Sequence, residues 1–390
     1  MKREDIFEYD NKYIAGTYLR SKLFAKSGKG ALCRDEEGKE YVDFSSGIGV
    51  NSLGFCDSRW VEAVCTQASK LQHISNLYYT EPQAKLAKEL CHKTFAEKVF
   101  FSNSGAEANE AMIKAARKYS FDKYGTGRNK IIALINSFHG RTVTTLSATG
   151  QEVFHKFFDP FTPGFEFVEA GDIEGLKEAV KSGDVCGIML EFIQGEGGVV
   201  ELSEDFAAAV SELCEKNDIL LLDDEVQTGV GRTGRFLCCE HYGIEPDLAS
   251  LAKGLGGGLP IGALLLGKKC RDTFTPGSHG STFGGNPVSC AGALEVINRT
   301  DDSFMAEVEK KGDYIRTELM KLPKVKKVTG KGLMIGISLT DLSSKEAAEK
   351  CLEEGVIVLT AKEKLRLLPP LNISYEEINK GLSGLKEVLS

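Results

Sequence analysis

The chain has 390 residues, 42% of them hydrophobic and 27% charged, with a formal net charge of −8. That length allows two domains sharing a large core. The acidic balance argues against nucleic acid as the main partner, because phosphate backbones select a basic face.

No apolar run approaches the ~20 residues of a membrane-spanning helix. The N-terminal MKREDIFEYD has no signal-like apolar stretch. Eleven cysteines without a C-x-x-C pair are the usage of a reducing, cytoplasmic compartment. Cys238 and Cys239 beside His241 read as small buried hydrophobes, since adjacent cysteines rarely share one tetrahedral ion and no second ligand pair follows.

In chain order, residues 29–46 fit a hairpin, ALCR and EYVDF around the turn Asp35-Glu36-Glu37-Gly38. From residue 99 onward, short apolar runs alternate with helical patterns. VFF, KIIALIN, FEFVEA, VCGIMLEFI, ILLLD, DLASLA and IGALLLG read as buried strands. Between them, SEDFAAAVSELCEKND is capped by Ser203 and sets Phe206, Val210, Leu213 and Cys214 on one face. This alternation predicts an α/β fold with a mostly parallel sheet flanked by helices. After about residue 295 the order is a charged helix, the strand GLMIGISL, a helix, a strand pair and a closing helix with a Ser374/Glu377 capping box. The expected organisation is a large domain over 49–294 and a smaller α+β domain from 1–48 and 295–390.

Ligands in such sheets sit beyond the carboxyl ends of the strands, and four features fall there. In FFSNSGAEANEAMIKAARKY a strand breaks at Ser102 and a helix begins near Gly105, presenting free backbone N–H groups suited to a phosphate. NSFHGRT offers a stacking ring, Phe138, and a carboxylate fork, Arg141. ILLLDDEVQ aims Asp223, Asp224 and Glu225 at the end of a buried strand, where a charge needs a positive partner. DLASLAKGLGGG places Lys253 at another strand end; a desolvated lysine loses its proton readily and condenses with carbonyls.

GVGRTG (229–234) matches the dinucleotide fingerprint and leaves an NAD-dependent oxidoreductase as the reading from another class. DEVQT intervenes after the strand, however, and no helix opens within the motif. A phosphate cradle, an aromatic plate, a buried carboxylate and a lysine at one sheet edge together match the needs of pyridoxal 5'-phosphate.

The sequence resembles the class-III aminotransferases of fold type I along nearly its whole length. SNSGAEANEAMIKAAR, FHGRT, LLLDDEVQTGVGRTG, AKGLGGGLPIGA and HGSTFGGNPVSCAGAL carry the likeness, in the family's order. HISNLYYTEPQAKLAKEL (73–90) is similar, more narrowly, to the acetylornithine aminotransferase branch. One departure is Cys56-Asp57, where the family usually has His-Pro.

The resemblance implies a seven-stranded, mostly parallel sheet with a smaller terminal domain. It implies Lys253 as the covalent attachment point and proton carrier, Asp224 against the pyridine nitrogen and Gln227 on the ring's phenolic oxygen. Phe138 and Val226 would sandwich the ring, Glu225 would lie among the cofactor contacts, and Gly105 and Ala106 would give N–H groups to the phosphate. Thr282 would reach the phosphate of a neighbouring subunit in a homodimer, with Ser281 close to the substrate. Arg141, and Arg366 paired with Glu196, would read substrate carboxylates. The implied reaction moves the terminal amine of N2-acetylornithine to 2-oxoglutarate, with ornithine, succinylornithine or 4-aminobutyrate as other donors. A non-catalytic pyridoxal-binding regulator is disfavoured by the full set of catalytic residue types.

Overall fold

The computed structural model describes residues 3–390; Met1 and Lys2 of the expected 1–48 segment lie outside the described residues. The expected N-terminal hairpin forms as β2 (Leu32–Asp35) and β3 (Glu40–Asp43), and a strand that the sequence reading missed, β1 (Ala25–Lys29), pairs with β2 to extend it. The seven apolar runs then become β4 (Lys98–Ser102), β5 (Lys130–Leu134), β6 (Phe165–Val168), β7 (Val185–Leu190), β10 (Leu220–Asp224), β11 (Leu248–Leu251) and β12 (Gly262–Leu266). Between β7 and β10 lies a two-stranded ribbon, β8 (Ile193–Gln194) with β9 (Val200–Glu201).

The seven strands make one sheet in the order β4-β12-β11-β10-β7-β5-β6. Only β12 runs against its neighbours; the other pairs are parallel. Every residue of β7 and β10 is buried, as expected for central strands covered by helices on both faces. Ser203 caps the helix Glu204–Asn217 by accepting from Phe206 N, and Phe206, Val210 and Cys214 are buried, with Leu213 only partly so.

The C-terminal third adds β13 (Val325–Thr329), which the sequence reading missed, then β14 (Ile335–Leu339), β15 (Val356–Ile357), β16 (Leu359–Ala361) and β17 (Lys364–Leu367). β15 joins the N-terminal hairpin through Val356 and Val42, in the order β1-β2-β3-β15. β13-β14-β17-β16 forms a separate sheet. A second apolar cluster draws on both chain ends, including Ala31, Val42 and Phe44 with Val308, Ile337 and Leu385. Ser374 and Glu377 form the expected capping box on the helix Tyr375–Leu389.

Since β4 is parallel to all but β12, the carboxyl ends of β4, β5, β7, β10 and β11 open on one edge of the sheet. β17 brings the second body against that edge, as the contacts of Arg366 show.

Candidate active site

A cavity of about 600 Å³ opens at this edge. Gly105, Ala106, Phe138, Arg141, Asp224, Val226, Gln227 and Lys253 all line it. They arrive from four strand ends and the turns or helix starts after them, those of β4, β5, β10 and β11, so no local stretch of sequence contains the site.

The helix Gly105–Tyr124 points its first turn into the cavity. Ser104 caps it, accepting from Glu107 N at 3.2 Å. The N–H groups of Gly105 and Ala106 have no acceptor among the described residues, which is the condition for binding an anion at a helix N-terminus. Gly105 has to be glycine: a Cβ there would lie 2.6 Å from Val226 Cγ1.

Asp224 ends β10 and is almost wholly buried. Its Oδ2 accepts from Asn109 Nδ2 at 2.7 Å and lies 2.7 Å from His139 Nδ1. Its Oδ1 accepts from Val226 N at 3.0 Å and from Ser250 Oγ at 3.3 Å. These donors fix the orientation of the carboxylate. Against that carboxylate, Nδ1 is the protonated nitrogen of His139.

Lys253 follows β11 by two residues, in a left-handed backbone (φ 42°) that side chains rarely adopt. Burial pushes its pKa down from the ordinary lysine value, opposed by Glu196, Asp224 and Glu191 and assisted by Arg366. A larger neutral fraction is what a carbonyl-condensing lysine needs.

Arg141 is exposed at the mouth, its guanidinium 4.0 Å from the ring centre of Phe154 and 5.5 Å from that of Phe138. Arg366 reaches in from β17. Its Nη1 donates to Glu196 Oε1 at 2.7 Å and to Gln227 Oε1 at 2.9 Å, and its Nε is buried without a partner. Burial works against the charge of Glu196, but Arg366 outweighs it and holds that carboxyl below its usual value.

Three expected residues lie elsewhere. Glu225 does not line the cavity: it follows Asp224 and turns to the other side of the strand, taking the hydroxyl of Thr228 and, at 3.0 Å, the N–H of Cys239. Thr282 is exposed and outside this chain's cavity, and Ser281 touches its rim only through Asn103 Nδ2, at 3.3 Å.

Other groups belong to the site without having been singled out. His139 and Asn109 orient Asp224. Glu191 accepts from Phe138 N at 2.9 Å and Gly195 N at 3.1 Å, tying the aromatic plate to the loop carrying Glu196. Burial raises Glu191 to about 7, against the pull of His139 and with the push of Asp224. An acid inside the apolar run VCGIMLEFI was the signal for it. Asn109 stands among alanines on a buried helix face, a signal of the same kind.

Residues 13–389 match the family described as Aminotransferase class-III. The chain belongs to this family. It is 51% identical over 391 residues to the acetylornithine aminotransferase of Haemophilus ducreyi, covering 100% of both chains. It superposes with a TM-score of 0.93 on the ornithine aminotransferase of Toxoplasma gondii, at 32% identity and over 100% of this chain and 94% of that one. That structure is described as having partial occupancy of PLP at its active site. The N-acetylornithine aminotransferase of Stenotrophomonas maltophilia superposes with a TM-score of 0.84, at 34% identity and 98% coverage of each chain.

The residues of this class-III aminotransferase fit pyridoxal phosphate. Free N–H groups at a helix N-terminus suit the phosphate, the oriented Asp224 carboxylate suits a protonated ring nitrogen, and the desolvated Lys253 amine suits the aldehyde. Pyridoxal phosphate is its cofactor. Among the described residues no helix is long and apolar enough to cross a membrane.

Proposed function

We propose that the chain moves the terminal amine of N2-acetylornithine to 2-oxoglutarate, giving N-acetylglutamate 5-semialdehyde and glutamate, as a step of arginine biosynthesis. The observation that carries this is Arg366. It is buried, held on one side by Glu196 and Gln227, and keeps a free Nε, while Arg141 stands exposed at the mouth. Two arginines, one of them masked by a movable acid, suit two substrates that carry their carboxylates at different distances from the amine. The likeness to acetylornithine aminotransferases over the full chain supports the choice of donor.

Pyridoxal phosphate, when bound, carries the amine between the two substrates and withdraws electrons from the reacting carbon. Asp224 would hold the ring nitrogen protonated. Phe138 and Val226 would face the ring, Gln227 would meet its phenolic oxygen, and Gly105 and Ala106 would hold the phosphate. Lys253 Nζ would take the proton from the donor's amine-bearing carbon and pass it on to the cofactor, and would carry out the reverse transfer for the acceptor. Arg141 holds the carboxylate of the ω-amine donor; Arg366, once Glu196 swings aside, holds the α-carboxylate of glutamate.

The active unit is a homodimer in the cytoplasm. The exposed Leu77, Tyr78, Tyr79 and Phe283 give each copy an apolar surface to cover. Thr282, beside Phe283 in sequence, reaches the partner's phosphate, with Ser281 near its substrate. Eleven free cysteines agree with a reducing compartment. The cofactor domain extends from residue 49 to Arg299, because Val296 and Ile297 pack in the large core and the helix Pro287–Arg299 runs through the expected boundary at 294. The segment 1–48 and the remainder of the chain form the smaller domain.

Single-turnover reactions with acetylornithine, ornithine, succinylornithine and 4-aminobutyrate at equal concentration test the donor. Acetylornithine should react fastest by kcat/KM; a faster reaction with any of the others would overturn the assignment.

A further inference from the structure

The last residues of β10 alternate in direction. Asp224 faces the cavity. Asp223 faces the core, between Leu190 of β7 and Ala249 of β11 in the register of the sheet. It is 0% exposed, and neither of its carboxyl oxygens has a hydrogen-bond partner. Ligand atoms of Asp223, Glu225 and Cys239 lie within 4.8 Å of one another. Glu225, also buried, collects donors: the Thr228 hydroxyl on Oε2 and Cys239 N on Oε1.

Two ionised carboxyls this close and this dry would cost several kcal/mol without a cation between them. The titratable groups facing the pair are Asp224 on the strand and Cys238 and Cys239 on the turn beyond; Lys331 acts on Cys238 from further off. On the neighbouring strands the register partners of Asp223 are the apolar Leu190 and Ala249.

We propose that Asp223 and Glu225 share one proton, carried by Asp223 and donated to Glu225, and that they act as a positioning pair for the segment Val226–Gln227. The proton belongs on the acid that only the weakly donating Cys239 thiol approaches, and the charge on the acid that has gathered a hydroxyl and a backbone N–H. Burial raises Asp223 well above the carboxylate range, with Glu225 and Asp224 adding to the shift and the Cys239 thiol opposing it. Burial likewise raises Glu225, to about 7, against its donors.

Glu225 is thereby held from three directions: Asp223 on the strand, Thr228 beyond the turn and Cys239 on the next turn. Its own carbonyl accepts from Gly229 N at 2.9 Å. Val226 and Gln227 lie inside this bracket. The pair thus sets the position of the ring-facing Val226 and of the Gln227 contact to Arg366, without touching the cofactor. The functional half of this inference rests on the proposed roles of Val226 and Gln227; the proton-sharing half does not.

Infrared spectra of the cofactor-free protein test the proton. Wild type at pH 7 should show the carbonyl stretch of a neutral buried carboxyl that Asp223→Asn lacks. Identical spectra in that region would overturn the shared proton, as would a metal ion found by elemental analysis in the purified wild type and absent from Asp223→Asn. Since the folded pKa of Asp223 is raised, its stability contribution is present below the ordinary carboxylate range and lost as pH rises. The melting temperature of the cofactor-free protein should therefore fall less steeply with pH in Asp223→Asn than in wild type; parallel curves would also overturn it.

Cofactor release tests the positioning. An asparagine amide can donate to Glu225 as the neutral acid does, so Asp223→Asn should restore the slow release of pyridoxal phosphate that Asp223→Leu speeds up roughly tenfold. Equal release from the two variants would overturn the positioning role. If the infrared band is present but wild type binds no pyridoxal phosphate, the cofactor reading fails and the proton pair stands.

Discussion

Arg366 and Glu196 meet at 2.7 Å although they come from different sheets, β17 and the loop between β8 and β9. The guanidinium uses one nitrogen, Nη1, for both Glu196 and Gln227, and leaves Nε buried without an acceptor. A purely structural ion pair of this burial would be expected to satisfy the remaining donors. The unmet nitrogen gives Arg366 a place for a second carboxylate.

Glu196→Ala frees Arg366. The half-reaction with glutamate should hold steady or quicken while that with acetylornithine slows, because a bare guanidinium attracts the wrong end of the ω-amine donor. Stopped-flow measurement of each half-reaction checks this. Equal slowing with both donors would mean the pair only ties the two bodies together.

Lys253 sits among charges that raise and lower its proton affinity, and burial prevails. Reconstitution of the cofactor-free protein with pyridoxal phosphate should accelerate with pH along a curve whose midpoint lies below the ordinary lysine range. Removing the Glu196 charge, as Glu196→Gln, takes away one opposing influence, so the midpoint should move lower still. A midpoint unmoved in that variant would show that Glu196 does not act on Lys253.

Lys253→Ala should abolish multiple turnover and leave non-covalent cofactor binding, since the donors at Gly105 and Ala106 are untouched. Equilibrium dialysis with pyridoxal phosphate separates these effects. Turnover near wild type would refute the assignment.

Asp224→Asn keeps the shape of the side chain but loses the charge. We expect a rate loss of at least ~10², comparable to that for removing one preorganised electrostatic partner. The position of His139 in the NMR spectrum of the cofactor-free variant should change as well, because its Nδ1 loses an ionised acceptor at 2.7 Å. A rate within a few-fold of wild type would mean the ring nitrogen is held elsewhere.

Thr282→Ala should weaken cofactor retention and spare the chemistry. In mixed dimers of Thr282→Ala and Lys253→Ala chains, a contact made across the interface puts both lesions in the Lys253→Ala site and leaves the other intact. Mixed dimers without a competent site would place the contact within one chain.

The seven strands of the large sheet were legible because each is a short apolar run between turn signals, and their carboxyl ends located Asp224, Phe138 and Lys253. β13 was missed because VKKVT presents two exposed lysines in a row of five residues and no continuous apolar face. The side of the strand that Glu225 takes was not legible in the sequence. Acids at 223, 224 and 225 look alike in a string, and only the pleat of β10 and the turn after it send Asp224 to the cavity and its neighbours to the core. His139 stood inside a motif that was read for its phenylalanine and arginine. The distance to Asp224, which gives it a task, exists only after β5 and β10 are brought into one sheet.

The pairing of β15 with β3 joins the two ends of the chain, and it also orders events during translation. The segment from Gly105 to Lys253 leaves the ribosome well before β15 and β17 are made. Until then the hairpin β1-β2-β3 has an uncovered edge, a surface prone to pairing with other strands. The residues lining the cavity precede Leu359 in the chain, whereas Arg366, with its buried and unpartnered Nε, is among the last residues to arrive. A chain stopped short of residue 356 would combine an aggregation-prone edge with a cavity that lacks the guanidinium of Arg366.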